Sequence, residues 1–123
     1  MKEFIENNLN NIKNDLKELV SYNSVLSNDE KPFGSENRKV LDATLKIMER
    51  EGFRTKNLDY YCGYGDIGQG DELVGIAGHL DIVPVGEGWN SNPLVLNENN
   101  GYSCYTCPRR SFWKHTPLDK AGE

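Results

Sequence analysis

Two residues of types that bind and orient metal ions, His79 and Asp81, follow a short apolar run at residues 73–78. Because that run is short and continuously apolar, it predicts a central β-strand covered on both faces by helices. Side chains two apart on a strand project to one face, so both residues can act on one site. A neutral histidine is a good zinc ligand, and a carboxylate that accepts its other N–H fixes the tautomer. Taken alone, the pair also fits a structural histidine and a turn-capping aspartate.

A second group of candidate ligands lies further along, where Cys104 and Cys107 form a C-x-x-C pair that precedes His115 and Asp119. Such a pair is compatible with a small zinc site or with a dithiol redox pair. A structural zinc site usually draws on two such pairs, however, and Pro108 follows this one where a redox pair would open a helix. The simpler interpretation is a pair of incidental thiols.

Hydrophobic periodicity predicts the elements that position these residues. A helix over residues 2–21 is indicated by apolar residues at helical spacing, which are Ile5, Leu9, Ile12, Leu16 and Leu19. A polar loop at 24–35 is predicted to end at Ser35 as N-cap, before a helix over 36–51 that Gly52 caps. Alternating residues from Phe53, and the aromatic and glycine-rich residues 60–67, indicate strands separated by tight turns. Residues 94–96 are also strand-like, and the order of elements predicts an α/β sandwich.

Composition places the chain among ordinary globular proteins of one domain. It has 123 residues, of which 37% are hydrophobic and 27% charged, and its formal net charge is −5. That charge disfavours nucleic acid and anionic lipid as partners, since both attract basic surfaces. The sequence shows no secretory signal and no apolar stretch of membrane-spanning length. We therefore expect a cytoplasmic protein with no membrane partner, whose three cysteines stay reduced.

The residues around the histidine–aspartate pair resemble a known motif. The run from Gly78 to Trp89, Gly-His-Leu-Asp-Ile-Val-Pro-Val-Gly-Glu-Gly-Trp, is similar to a signature of the PepV-type dipeptidases, in the ArgE, DapE, carboxypeptidase G and carnosinase group of co-catalytic zinc metallopeptidases. Residues 32–34, 48–53 and 60–70 extend the resemblance over about the first hundred residues.

This resemblance implies a three-layer α/β zinc-peptidase domain of the aminopeptidase-like kind, with an inserted lid domain. It implies two zinc ions, and hydrolysis of a dipeptide or short peptide by a metal-activated water. It assigns His79 as a ligand of one zinc ion, and Asp81 as the catalytic-site carboxylate that orients this histidine.

The resemblance ends near Tyr102. The family continues to an aspartate that bridges its two metals, whereas residues 101–112 contain no acidic residue. We therefore expect residues 1–102 to be the N-terminal part of a truncated catalytic domain without its lid. Residues 103–123 are expected to be an aberrant, disordered tail, as a reading-frame shift would produce. One histidine with its orienting carboxylate is too few ligands for tight zinc binding. The alternatives are a dipeptidase completed by another chain, a non-catalytic remnant and a small interaction module.

Overall fold

The computed structural model describes residues 2–89, 91–99 and 102–104. Its elements are, in chain order, α1 (Lys2–Val20), α2 (Ser35–Arg50), β1 (Arg54–Leu58), β2 (Cys62–Asp66), β3 (Asn97–Asn99) and β4 (Tyr102–Cys104). They fall into two compact units, one of residues 22–84 and one that combines residues 2–21 with the described residues between 85 and 104. The predicted α/β class is confirmed, and no described helix is long and apolar enough to cross a membrane.

Helix α1 confirms the first predicted helix, but none of its described residues is buried and its apolar face is only partly covered. Ile5 is 45% exposed and Ile12 is 42% exposed. The helix is linked to β3 by charge instead, because Lys13 Nζ and Lys17 Nζ lie 2.7 and 3.1 Å from carboxylate oxygens of Glu98. The hydrogen bonds from the two lysines hold the pKa of Glu98 below its usual value.

Strand β3, in the same unit as α1, begins later than the sequence indicates. The strand prediction for residues 94–96 was wrong, since the Val95 N–H donates to the Asn92 carbonyl at 3.2 Å and closes a turn there. Strand β3 pairs antiparallel with β4, with Asn97 opposite Cys104. The boundary predicted between residues 102 and 103 falls within β4, and residues 105–123 of the predicted tail lie outside the described residues.

The core of residues 22–84 lies where α2 packs on an antiparallel hairpin. Strands β1 and β2 pair from Arg54 opposite Asp66 to Leu58 opposite Cys62. The buried residues of α2 are Val40, Leu41, Ala43 and Leu45. Gly63 lets the strand approach this face closely, because a Cβ there would lie 2.9 Å from Leu41 Cδ1. The predicted helix and hairpin are therefore confirmed, and glycine at this position allows their contact.

The predicted central strand at residues 73–78 was wrong. Within the described part of the chain these residues have no strand partner, and the sheet beside them contains only β1 and β2. Leu73 is 91% exposed, Val74 89% and Ile76 97%. Strand geometry requires backbone partners, which a run of apolar residues cannot supply for itself. The segment consequently forms no strand and is open to solvent.

The start of α2 is held by an aspartate that the sequence reading did not single out. Gly34 takes the N-cap position with a φ of 111°, and the predicted cap Ser35 is the first helical residue. The carboxylate of Asp29 accepts hydrogen bonds from the Ser35 N–H at 3.1 Å and from the hydroxyls of Ser27 and Ser35. Those hydrogen bonds, the one from Ser27 first, hold the pKa of Asp29 well below its ordinary value of 3.8.

This lowered pKa predicts an acid-sensitive stability. A carboxylate whose pKa is lower in the folded protein stabilises that state above its unfolded pKa, and the stabilisation is lost as pH falls toward the folded pKa. We expect Asp29→Asn to lower the midpoint of urea unfolding at about pH 7. The difference in midpoint between the variant and the native protein should shrink below about pH 4. Removing the donors in Ser27→Ala/Ser35→Ala should weaken this pH dependence. A difference in midpoint that stays constant down to about pH 2.5 would contradict the lowered pKa of Asp29.

The exposed run at 73–78 predicts that proteolysis there precedes proteolysis within α2. Chymotrypsin should cleave after Leu73 before it cleaves after Leu41 or Leu45, because cleavage needs an extended and accessible backbone. Mass spectrometry of the earliest fragments measures the order. The variant Leu73→Asp removes the cleavage site and should slow the first cut in this region. Early cuts within α2 instead would show that the helix opens more readily than the run.

Candidate functional site

His79 and Asp81 lie together on the exposed side of an extended segment. The Nδ1 atom of His79 is 3.3 Å from Asp81 Oδ1 and 3.0 Å from the Asp81 backbone oxygen. Their side chains are 81% and 68% exposed. The structure thus brings together the two site residues that the sequence singled out, and both face solvent.

The two acceptor oxygens of Asp81 determine which nitrogen of His79 faces outward. An N–H at Nδ1 can donate to either oxygen, so this arrangement favours the tautomer that carries its proton on Nδ1. The lone pair then lies on Nε2, and no described residue forms a hydrogen bond with that atom. This is the state in which a neutral histidine can bind a metal ion or accept a proton.

Leu80 and Ile82 anchor the segment on its opposite side. They are half-buried, whereas His79 and Asp81 are exposed, so burial alternates along the segment as in a strand. Ser24, which is 2% exposed, holds both of them. Its hydroxyl donates to the Leu80 carbonyl at 2.7 Å, and its own carbonyl accepts the Ile82 N–H at 3.2 Å.

Helix α2 supports the loop that carries Ser24. The side-chain amide of Asn37, in the first turn of the helix, donates to the carbonyls of Val25 at 3.2 Å and Phe33 at 3.0 Å. Phe33 in turn accepts the Ser27 N–H at 3.0 Å. The segment with His79 is therefore connected through Ser24 and Asn37 to the packed helix.

A depression of about 500 Å³ opens beside the histidine. It is lined by α2, the hairpin turn, the loop before α2 and residues 78–81, with Leu26, Phe33, Asn37, Leu41, Tyr60, Tyr61, Cys62 and Gly63. The rings of Phe33 and Tyr61 meet edge to face with centroids 5.7 Å apart. The Arg38 guanidinium lies 3.7 Å from the centroid of the Tyr60 ring. The wall is thus largely aromatic and apolar, with His79 and Asp81 among its polar groups.

The described residues fit only part of a zinc site. A catalytic zinc ion takes about three protein ligands and keeps one position open. No group of three His, Cys, Asp or Glu side chains in the described residues could hold a metal ion, and exposed Cys62 does not complete one with His79. Cys107, His115 and Asp119 lie outside the described residues, and only the backbone of Cys104 is described.

Sequence reasoning missed Ser24 and Asn37. Ser24 was assigned to the beginning of a surface loop because its neighbours are polar, yet it is almost fully buried. Its partner Leu80 is 56 residues away along the chain, and neither periodicity nor spacing carries information on such a contact. Asn37 carried only the general preference of asparagine for bonding nearby backbone.

Comparison with known proteins gives relatives that bear dipeptidase names. The chain is 40% identical over 91 residues to "Putative dipeptidase YtjP" of Bacillus subtilis, a match that covers 71% of this chain and 20% of the relative. "Putative dipeptidase SSP1012" of Staphylococcus saprophyticus is 44% identical over 87 residues, a match that covers 68% of this chain and 19% of the relative. One from Staphylococcus aureus is 38% identical over 97 residues, 76% of this chain and 21% of the relative.

These likenesses relate most of the chain to proteins named as dipeptidases. The chain spans about one fifth of the length of the curated relatives it matches. No protein-family model matches the chain. The similarity therefore indicates common descent over the matched residues.

Proposed function

We propose that this chain carries the first histidine–aspartate pair of a zinc-dependent dipeptidase, in which His79 binds the metal and Asp81 orients His79. The observation that carries the proposal is the contact of His79 Nδ1 with the backbone oxygen and the carboxylate Oδ1 of Asp81. These contacts leave Nε2 free on the exposed face. The likeness to proteins named as dipeptidases supports the substrate class, a dipeptide or short peptide.

The chemistry of the pair follows from its geometry. Asp81 accepts a hydrogen bond from the Nδ1–H, keeps the ring in one orientation and leaves the Nε2 lone pair available to a metal ion. Zinc bound at such a nitrogen would polarise the scissile carbonyl and activate water for attack. Because His79 is a single ligand, the proposal requires further ligands from outside the described residues.

A chimaeric enzyme tests the proposal. The 91-residue segment matched in the Bacillus subtilis relative is replaced with the corresponding residues of this chain, and hydrolysis of a panel of dipeptides is measured with added zinc. We expect the chimaera to hydrolyse dipeptides and His79→Ala to abolish that activity. Asp81→Asn should lower it by about 10- to 100-fold, because the ring loses its anionic acceptor.

Two controls make this result decisive. The unmodified relative provides the reference activity, and Ser21→Ala in the chimaera removes a hydroxyl that bonds the Glu18 carbonyl away from the pair. That variant should retain the activity of the chimaera. A chimaera that cleaves dipeptides equally well with His79→Ala would refute the role of His79, as would a relative and chimaera that both leave dipeptides intact.

The donor set also predicts how this chain itself binds zinc. With one histidine and its orienting carboxylate, we expect the affinity at His79 to be weaker than about 1 µM in calorimetric titration at neutral pH. His79→Ala should therefore change the binding isotherm little in the submicromolar range. Submicromolar binding that disappears in His79→Ala would show that a complete site forms around this residue.

A further inference from the structure

We propose that Ser24 is a positioning residue for the His79–Asp81 pair, an inference that rests on the proposed function for its meaning but not for its test. Ser24 forms no hydrogen bond with His79 or Asp81 themselves. It bonds the residues on either side of Asp81, through its hydroxyl to the Leu80 carbonyl at 2.7 Å and through its carbonyl to the Ile82 N–H at 3.2 Å.

The burial of Ser24 favours these hydrogen bonds. Ser24 is 2% exposed, and it is the buried polar side chain of the described core. A buried hydroxyl without a partner is costly, so its bond to Leu80 is strongly favoured. No buried polar side-chain atom among the described residues lacks a partner, which means that the Ser24 hydroxyl is satisfied by this contact.

The position of the bonds explains what they control. The Leu80 carbonyl belongs to the peptide unit that joins Leu80 to Asp81, and the Ile82 N–H belongs to the next one. Fixing both units sets the backbone on each side of Asp81. The backbone oxygen of Asp81 then stays within 3.0 Å of His79 Nδ1, and its carboxylate within 3.3 Å.

The two hydrogen bonds of Ser24 to Leu80 and Ile82 are called the clamp. Neighbouring residues outside the clamp are more exposed than the two residues that it holds. Residues 71–79 are all exposed, whereas Leu80 and Ile82, which Ser24 holds, are half-buried. Val83 is again 80% exposed. Ser24 therefore fixes the short stretch that contains the pair, within a longer segment that is otherwise mostly exposed.

Nitrogen NMR on the full chain tests the proposal without metal or substrate. The ring signals of His79 are assigned by their loss in His79→Gln, and the tautomer is read from the two nitrogen shifts at a pH where the ring is neutral. We expect the native protein to favour the proton on Nδ1, and Ser24→Ala to lose that preference. The Ile82 amide should exchange about five- to tenfold faster in Ser24→Ala, as the loss of one hydrogen bond allows.

Three further measurements separate positioning from general stability. Ser24→Thr keeps the hydroxyl and should restore the native tautomer. Ser21→Ala, which loses a hydroxyl bond to the Glu18 carbonyl instead, should leave the His79 signals unchanged. Amides within α2 should exchange at native rates in Ser24→Ala, because Asn37 and the buried residues of α2 are unchanged.

Two outcomes would overturn the proposal. An unchanged His79 tautomer in Ser24→Ala shows that the clamp does not set the pair, and collapse of α2 protection shows that Ser24 serves the fold as a whole. If Ser24→Ala does not fold, the native protein still decides, since an Ile82 amide that exchanges as fast as those of 72–77 excludes the clamp. None of these measurements depends on catalysis. An inactive chimaera would therefore not change their outcome or their interpretation.

Discussion

The close approach of α2 to β2 is the constraint on which the unit of residues 22–84 depends. At Gly63 the side chains of Leu41 and Leu45 pack directly against the strand backbone, because even a Cβ would come within 3.0 Å of Leu45 Cδ2. The packed helix holds the loop before it through Asn37, and the loop holds residues 80–82 through Ser24. The orientation of His79 is therefore set by contacts that begin in the core, although the residue itself is exposed.

The run at 73–78 shows what happens to a strand-like sequence that has no strand beside it. Burying an aliphatic side chain is worth about 1.5–3 kcal/mol, but a strand also needs partners for its backbone groups. The described sheet of this unit ends at β1 and β2, and Leu73, Val74 and Ile76 remain in solvent. The apolar run thus has the composition of a central strand without the surroundings that would make it one.

The difference between local and distant contacts explains which features could be predicted. The two helices and the hairpin follow from periodicity and turn residues, and the left-handed φ of 91° at Gly52 follows from the preference of glycine for that conformation. The meeting of His79 with Asp81 was also predictable, since only Leu80 lies between them and alternation along a strand-like segment places them on one face. The contact of Ser24 with Leu80 was not, because it joins residues 56 positions apart and depends on how the loop folds onto the segment.

The same distinction bears on the chemistry. A histidine and an aspartate two positions apart can form an oriented pair wherever the backbone is extended and held, so the pair needs only local sequence and one clamp. A zinc site needs ligands that arrive from separate segments, and no such set occurs among the described residues. The geometry of His79 and Asp81 therefore supplies one oriented histidine, and the proposed metal-dependent hydrolysis would need further ligands besides it. What decides between an oriented histidine and a metal centre is whether further ligands surround a metal ion bound at Nε2, the atom that the pair leaves available.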